Sequence, residues 1–166
     1  MKITPALVKV FLIVPLNIMI TIPGIILWAA FKWNIFEEQN FLFSLTGGVS
    51  GLVFMVTGIY FAFRSVADLT RQGEDGTPAP WNPPENLAVK GIYRRVRNPM
   101  VTGVSFVLLG ESLICGSLPL LFWFLLFLAG NLVYTPLVEE RELERRFGEP
   151  YRQYKKQVPR WLPRKG

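Results

Sequence analysis

The chain has no histidine at all and a single cysteine among its 166 residues. Without histidine, the Ser-His and Cys-His pairs that activate nucleophiles cannot form, and most zinc sites lose a common ligand. Cys115 cannot make an internal disulfide, and because it lies in an apolar run we expect it to serve packing. We therefore predict no metal site and no histidine-dependent catalysis.

Phosphate-binding glycine loops are also missing. The glycines at 47–48 and in the stretch 73–76 have neither the spacing nor the strand-to-helix context of a Rossmann or P-loop motif. Charged residues make up only 18% of the chain, and the net charge of +6 comes from basic residues beside apolar blocks. That placement is typical of the flanks of membrane spans, so we predict no Rossmann fold and no nucleic-acid partner.

What the chain has in abundance is apolar sequence in long blocks. Hydrophobic residues make up 51% of it, and the mean hydropathy is +0.31. Such segregation predicts an all-α, polytopic integral membrane protein with four to five transmembrane helices and one domain over residues 1–166. Within it we expect N-terminal transmembrane helices over 1–63, a cytoplasmic loop over 64–98, and a cofactor-binding catalytic region over 87–166 with a cytoplasmic pocket.

The blocks predict individual spans at 6–31, 41–63, 99–115 and 118–138, with candidate breaks at 130–131 and at Pro136. Glycines 47, 48, 51 and 58 recur at near-helical spacing in the second span, which favours close packing against another helix. From Glu139 onward an amphipathic helix is expected, with Leu143 and Phe147 on one face. The segment 72–84 is rich in turn-forming residues and predicts an extended loop.

The lysines and arginines set the orientation. They concentrate in 64–98 and in the tail after Glu139, and the turn at 116–119 has none. The positive-inside rule therefore places the N-terminus, the 64–98 loop and the C-terminus in the cytoplasm, in a protein of the cell membrane.

The same orientation predicts one polar site at the water–lipid boundary. The basic hinge 91–99 carries Arg94, Arg95 and Arg97, and about forty residues later an apolar hairpin ends at Glu139-Glu140. An out-and-back hairpin brings the hinge and the acids to one membrane face. A carboxylate there could bind a cofactor's ammonium group or ribose hydroxyls, or act as a base. The plainer alternatives are a solvated helix end and positive-inside anchors.

Glu111 lies inside the third predicted span. An ionisable residue within the bilayer is a site hypothesis by default, because burying its charge is costly. The alternative interpretation is that the Glu111 side chain extends to the far membrane surface, which is only a few residues away. We carry it as a candidate substrate-binding residue.

Several motifs occur in a characteristic order. They are Gly91-x-Tyr93-x-x-x-Arg97-Asn98-Pro99, a hydrophobic hairpin, Glu139-Glu140, Phe147-Gly148-x-x-Tyr151-x-x-Tyr154 and Val158-Pro159-Arg160. As an ordered set this resembles the isoprenylcysteine carboxyl methyltransferase and phospholipid methyltransferase superfamily. The resemblance covers about 87–163, and the short chain is more similar to prokaryotic members than to the longer eukaryotic enzymes.

The resemblance implies a membrane enzyme that uses S-adenosylmethionine, with S-adenosylhomocysteine as product. Asn98 and Val101 stand where the family usually has histidine and tyrosine, and Thr135 aligns with an arginine that contacts substrate in eukaryotic relatives. Thr135 is thus a second candidate substrate-binding residue. The cofactor contacts that the resemblance implies are Leu87, Ala88, Val89, Tyr93, Arg97, Asn98, Pro99, Met100, Val101 and Glu139.

The expected function is methyl transfer to a lipophilic acceptor, with Arg97 and Glu140 as catalytic residues and with membrane lipids and a prenylated or phospholipid acceptor as partners. The leading reaction is carboxyl O-methylation of an isoprenylcysteine-like substrate, for which no base is needed. For N-methylation of an aminophospholipid, Glu140 would be the base. Two further alternatives are an NADPH-dependent, sterol-reductase-like enzyme whose arginines hold a phosphate, and a non-catalytic membrane scaffold.

Overall fold

The structure is a computed structural model, and it describes residues 17–33, 41–72 and 87–162. Residues 6–16 of the first predicted span and 73–84 of the predicted loop lie outside these ranges. The described segments are helical and contain no strand, so the all-α prediction is confirmed for them.

Six α-helices follow one another along the described chain. A π-helical turn, Asn17–Thr21, precedes α1, and a 3-10 turn, Gly91–Arg94, precedes α3. A second π turn, Thr135–Glu139, joins α4 to α5. The α-helices are α1 (Ile22–Lys32), α2 (Phe41–Gln72), α3 (Pro99–Cys115), α4 (Leu118–Tyr134), α5 (Glu140–Phe147) and α6 (Glu149–Gln157).

Two of the predicted helix ends differ from the structure. Helix α2 continues to Gln72, so residues 64–72, expected to begin the loop, are helical. They contain neither glycine nor proline, and the stretch 65–69 is buried, which favours continuing the helix. Helix α4 passes through Gly130 without a break, and at Pro136 the chain widens into the π turn instead of ending. Proline is tolerated there because a local π adjustment accommodates the missing N–H.

Two helical stretches are long and apolar enough to cross a membrane: Leu45–Leu69 and Leu118–Phe147. Helices α1 and α3 are apolar but shorter. Along α4 large apolar side chains such as Phe122 and Leu126 are exposed, and lipid would cover them without the penalty they meet in water. The expected count of four to five spans stays a prediction.

The contacts divide the chain into two compact units, formed by residues 1–60 with 103–128 and by 61–102 with 129–166. In the first unit, α2 and α3 approach closely through glycine. A Cβ atom added at Gly51 would lie 2.7 Å from the Gly110 carbonyl oxygen, and one added at Gly110 would lie 2.6 Å from the Gly51 carbonyl oxygen. The rings of Phe54 and Phe106 meet edge to face with centroids 5.6 Å apart. The predicted glycine face is therefore present at Gly51, whereas Gly48 has open space around it.

The second unit is held by two small apolar clusters. Leu69 of α2 packs with Ala88 and Tyr93. Tyr151 and Tyr154 of α6 pack with Val158, and Leu87, Leu143 and Phe147 lie against them. The expected apolar face of the helix after Glu139 is thus confirmed, since Leu143 and Phe147 of α5 pack against α6. Gly148, between the two helices, has a φ of +62°, a conformation that favours glycine.

The close approach of α2 and α3 predicts that a larger residue at the contact will lower the stability of the protein. Gly51→Ala should lower the thermal unfolding midpoint in detergent, because the new methyl group meets backbone atoms and overpacking costs about 1–3 kcal/mol. Gly48→Ala is the matched control on the same helix, and it should be neutral or stabilising since alanine favours a helix by roughly 1 kcal/mol over glycine. Equal midpoints for the two variants would contradict the packing described here.

Candidate functional site

The centre of the second unit is the carboxylate of Glu140, only 2% exposed. Its Oε1 accepts hydrogen bonds from Arg97 Nη1 at 2.8 Å and from Arg160 Nε at 2.6 Å. Its Oε2 accepts from Arg160 Nη2 at 3.0 Å and lies 3.2 Å from Lys155 Nζ. One buried carboxylate therefore joins three cationic side chains, which come from the hinge before α3, from α6 and from the tail. We call these four residues the Glu140 cluster.

The tail that carries Arg160 lies alongside the hinge. The backbone N–H groups of Arg97 and Asn98 donate to the carbonyl oxygens of Pro159 at 2.9 Å and of Arg160 at 3.1 Å. Arg97 Nε donates to the Val158 carbonyl oxygen at 2.9 Å, and the Thr102 hydroxyl is 3.1 Å from the Trp161 carbonyl oxygen. Arg97 is thus fixed at its backbone, at Nε and at Nη1, with little freedom to move.

Tyrosines form the next layer of polar contacts. The hydroxyl of Tyr93 is 2.8 Å from the Ser65 hydroxyl, and the hydroxyl of Tyr154 donates to the Tyr93 carbonyl oxygen at 2.7 Å. Burial raises the pKa of Tyr93 to about 12 and that of Tyr151 to about 12, and it also raises the pKa of Tyr154. These phenols therefore stay protonated at neutral pH and can donate hydrogen bonds.

The two neighbouring acids have different surroundings. Successive residues of a helix point about 100° apart, given roughly 3.6 residues per turn. Glu140 points into its three cations, whereas Glu139, at the end of the π turn, is half-buried and makes no ion pair with any described residue. A half-buried carboxylate without an ion-pair partner is a group that a cationic or hydroxyl-bearing ligand can engage.

The other residues predicted to contact the cofactor lie in the second unit and differ in how far they are buried. Ala88 is buried in the first cluster and Leu87 lies against the second, whereas the side chain of Val89 is 38% exposed. Pro99 is fully buried at the start of α3, and Met100 and Val101 beside it are half-buried.

The two candidate substrate residues lie in different units. Thr135 is fully buried in the second unit, and its hydroxyl lies near the carboxylate of Glu139. Glu111 belongs to the first unit, where its buried Oε2 has no hydrogen-bond partner in the part of the chain described. Within these same ranges, no group of three or more potential metal ligands was found.

Sequence reasoning missed two members of the Glu140 cluster, Lys155 and Arg160. Arg160 closes the Val158-Pro159-Arg160 motif, so its position in an ordered pattern was a usable signal. No sequence signal distinguishes Lys155, because it is one of several basic residues near the C-terminus. The structure also adds Ser65, which lies before the segment in which the site was expected.

Comparison with known proteins identifies the family. The family model described as phospholipid methyltransferase matches residues 47–150, which is more than half of the chain. The chain belongs to this family. The match includes the hinge and both acids and ends at Pro150, so the helix α6 tyrosines and Arg160 lie beyond it.

A curated relative agrees with this assignment. The protein-S-isoprenylcysteine O-methyltransferase of Schizosaccharomyces pombe is 29% identical to this chain over 124 residues, which cover 75% of the chain. The same alignment covers 52% of the relative, so the chain spans about half of the relative's length. No solved structure matches. The family and the two long apolar helices together indicate a membrane protein.

The Glu140 cluster should dominate the stability of the second unit. Glu140→Gln leaves the buried guanidinium of Arg97 without its counter-charge, and breaking a buried pair in this way costs about 3–5 kcal/mol. Glu142→Gln is the control, since Glu142 pairs with Arg145 where the two side chains are 56% and 80% exposed, and its effect should stay within about 0.5 kcal/mol. Detergent-to-SDS unfolding titrations measure both. Similar losses in the two variants would refute a central role for Glu140.

Alkaline pH should destabilise the protein through the buried tyrosines. An unfolded tyrosine ionises near pH 10, whereas the pKa of Tyr93 and of Tyr151 is about 12 in the folded chain. Between these values the unfolded state has released protons that the folded state retains, so stability falls as pH rises. Unfolding midpoints measured from pH 9 to 12 should decline less steeply for Tyr93→Phe than for wild type, and parallel curves would speak against the burial of this phenol.

Proposed function

We propose that this protein is an S-adenosylmethionine-dependent methyltransferase of the cell membrane, with cytoplasmic termini, that acts on a lipophilic acceptor at the membrane–cytosol boundary. The leading reaction is carboxyl O-methylation of an isoprenylcysteine-like substrate. Membership of the phospholipid methyltransferase family and the name of the fission-yeast relative support this class of chemistry. When bound, the cofactor supplies a methyl group on a sulfonium sulfur, which an acceptor carboxylate displaces in line.

The observation that carries the proposal is the division between Glu139 and Glu140. Glu140 is saturated by Arg97, Lys155 and Arg160, while Glu139, the adjacent residue, keeps a half-buried carboxylate with no ion pair among the described residues. A positively charged cofactor that also bears ribose hydroxyls suits such a group, through charge and through hydrogen bonds. We therefore assign Glu139 to cofactor binding, with the exposed side chain of Val89 and the half-buried Met100 and Val101 as apolar contacts.

The role of Arg97 and Glu140 follows from how tightly they are held. A base must exchange a proton with the acceptor, and Glu140 could do so only by giving up hydrogen bonds to Arg97 or Arg160. Its surroundings therefore favour anchoring of the hinge over proton transfer. A carboxylate acceptor needs no base, and the site would act by alignment and by exclusion of water.

N-methylation of an aminophospholipid is the second candidate, favoured by the description of the family itself. It requires an unprotonated amine, for which Glu140 is the candidate base. Thr135, with its buried hydroxyl, remains a candidate acceptor contact in either reaction. Glu111, in the other unit, stays a separate candidate from the sequence.

Binding of S-adenosylhomocysteine to the detergent-purified chain tests the cofactor. Titration calorimetry should detect binding by wild type, and Glu139→Gln should weaken it at least about tenfold, as expected for loss of a charge-assisted contact. Glu142→Gln removes an exposed acid nearby in sequence and should bind as wild type does. Folded wild-type protein that binds no S-adenosylhomocysteine would contradict the proposal, and binding of NADPH instead would favour the reductase alternative.

The acceptor is identified in a second step of the same experiment. S-adenosylmethionine with a tritiated methyl group is offered with a prenylcysteine or with an aminophospholipid. A methyl ester releases volatile tritiated methanol in mild base, whereas an N-methyl product does not. Base-labile label in the prenylcysteine reaction is the expected result, and base-stable label in the lipid reaction would shift the assignment to N-methylation.

A further inference from the structure

The last turns of α2 present two buried polar side chains on one face. Ser65 and Asp68 are three residues apart, a spacing that puts them on the same side of a helix, and both are buried. Burying a carboxylate is costly unless hydrogen bonds compensate for the lost water. The partners of both side chains lie in the hinge segment that precedes α3.

Asp68 caps the 3-10 turn Gly91–Arg94 from a distant part of the chain. Its Oδ2 accepts the hydrogen bond of the Ile92 N–H at 2.8 Å and lies 3.3 Å from Arg64 Nη2. The residue at the N-terminal end of the turn, Lys90, provides no side-chain cap. Asp68 thus supplies the acceptor that a capping residue normally provides for the first N–H groups of a helical turn.

The glycine at position 91 allows the Asp68 carboxylate to approach the turn. Its φ of +64° lies in the region that favours glycine. A Cβ atom at this position would also overlap the carboxylate of Asp68. The Asp68 side chain therefore occupies the space that a side chain at residue 91 would need.

Two further contacts hold the same segment to the same helix face. The Ser65 hydroxyl is 2.8 Å from the Tyr93 hydroxyl, and Leu69 packs against Ala88 and Tyr93. Tyr93 in turn accepts the hydrogen bond of Tyr154 at its carbonyl oxygen. The position of the hinge is thus set by α2 on one side and by α6 on the other.

We propose that Asp68, assisted by Ser65, is a positioning residue for cofactor binding. It acts through the Gly91–Arg94 turn, which it holds in the conformation that presents Tyr93 and the following hinge to the cofactor. The inference rests on the proposed methyltransferase function and deepens it, because both residues lie before the segment 87–163 that carries the family motifs. Asp68 itself need not touch the cofactor.

Three variants separate this role from general stability. Asp68→Ala removes the acceptor for the Ile92 N–H, Asp68→Asn keeps an acceptor oxygen without the charge, and Arg64→Met removes the partly exposed ion pair but leaves the hydrogen bond. We expect Asp68→Ala to raise the Kd for S-adenosylhomocysteine and the KM for S-adenosylmethionine about tenfold or more, as for loss of a buried charged hydrogen bond. The value of kcat at saturating cofactor should change much less. Asp68→Asn should recover most of the affinity, and Arg64→Met should stay near wild type.

Hydrogen exchange supplies a readout that does not depend on activity. The Ile92 amide should exchange faster in Asp68→Ala than in wild type or Arg64→Met, because its acceptor is gone. Wild-type affinity in a folded Asp68→Ala protein would overturn the positioning role and leave the proposed function intact. Failure of wild type itself to bind would overturn the proposed function, and the positioning role with it. If Asp68→Ala does not fold, Ser65→Ala decides: a raised cofactor Kd supports the inference, and an unchanged Kd overturns it.

Discussion

The second unit depends on one buried carboxylate that must be surrounded by cations. Removing Glu140 from water is unfavourable by several kcal/mol, and only well-placed partners offset that cost. Arg97, Lys155 and Arg160 meet this requirement, and each brings its own segment with it. The hinge, α6 and the tail therefore meet at a single charge, and the tyrosine contacts connect the same segments.

The same constraint explains why two adjacent glutamates can serve different purposes. A carboxylate with three cationic partners is fixed in place, and the half-buried carboxylate before it is left with capacity for a ligand. Glu140 holds the hinge in place, and Glu139 is the residue that we propose to bind the cofactor. In a short chain with few charged residues, this arrangement lets one Glu-Glu pair supply both the scaffold and the binding group.

Several elements were predictable because local signals determine them. Pro99 suits the first turn of a helix and Gly116 its end, so the bounds of α3 followed from the sequence alone. The pairing of the hinge with Glu139-Glu140 was also predicted, and Arg97 and Glu140 do meet. The sequence analysis ended α2 too early, because the hydropathy of the chain falls at Arg64. The helix continues beyond that point, and Ser65 and Asp68 of its last turns form hydrogen bonds with residues some 25 positions later. Lys155 joins the cluster through tertiary contacts, which no local pattern records.

The order of the cluster along the chain has a consequence for biosynthesis. Arg97 is translated first, Glu140 next, and Lys155 and Arg160 only afterwards. The two long apolar helices therefore precede, in the order of synthesis, the residues that complete the set of counter-charges around Glu140. A truncated product that lacked residues 158–166 would retain both long apolar helices, but its hinge would lack the tail and its buried Glu140 carboxylate would be only partly compensated. Such a product would present the cell's quality-control proteases with a protein that is embedded in the membrane but not yet folded on its aqueous side.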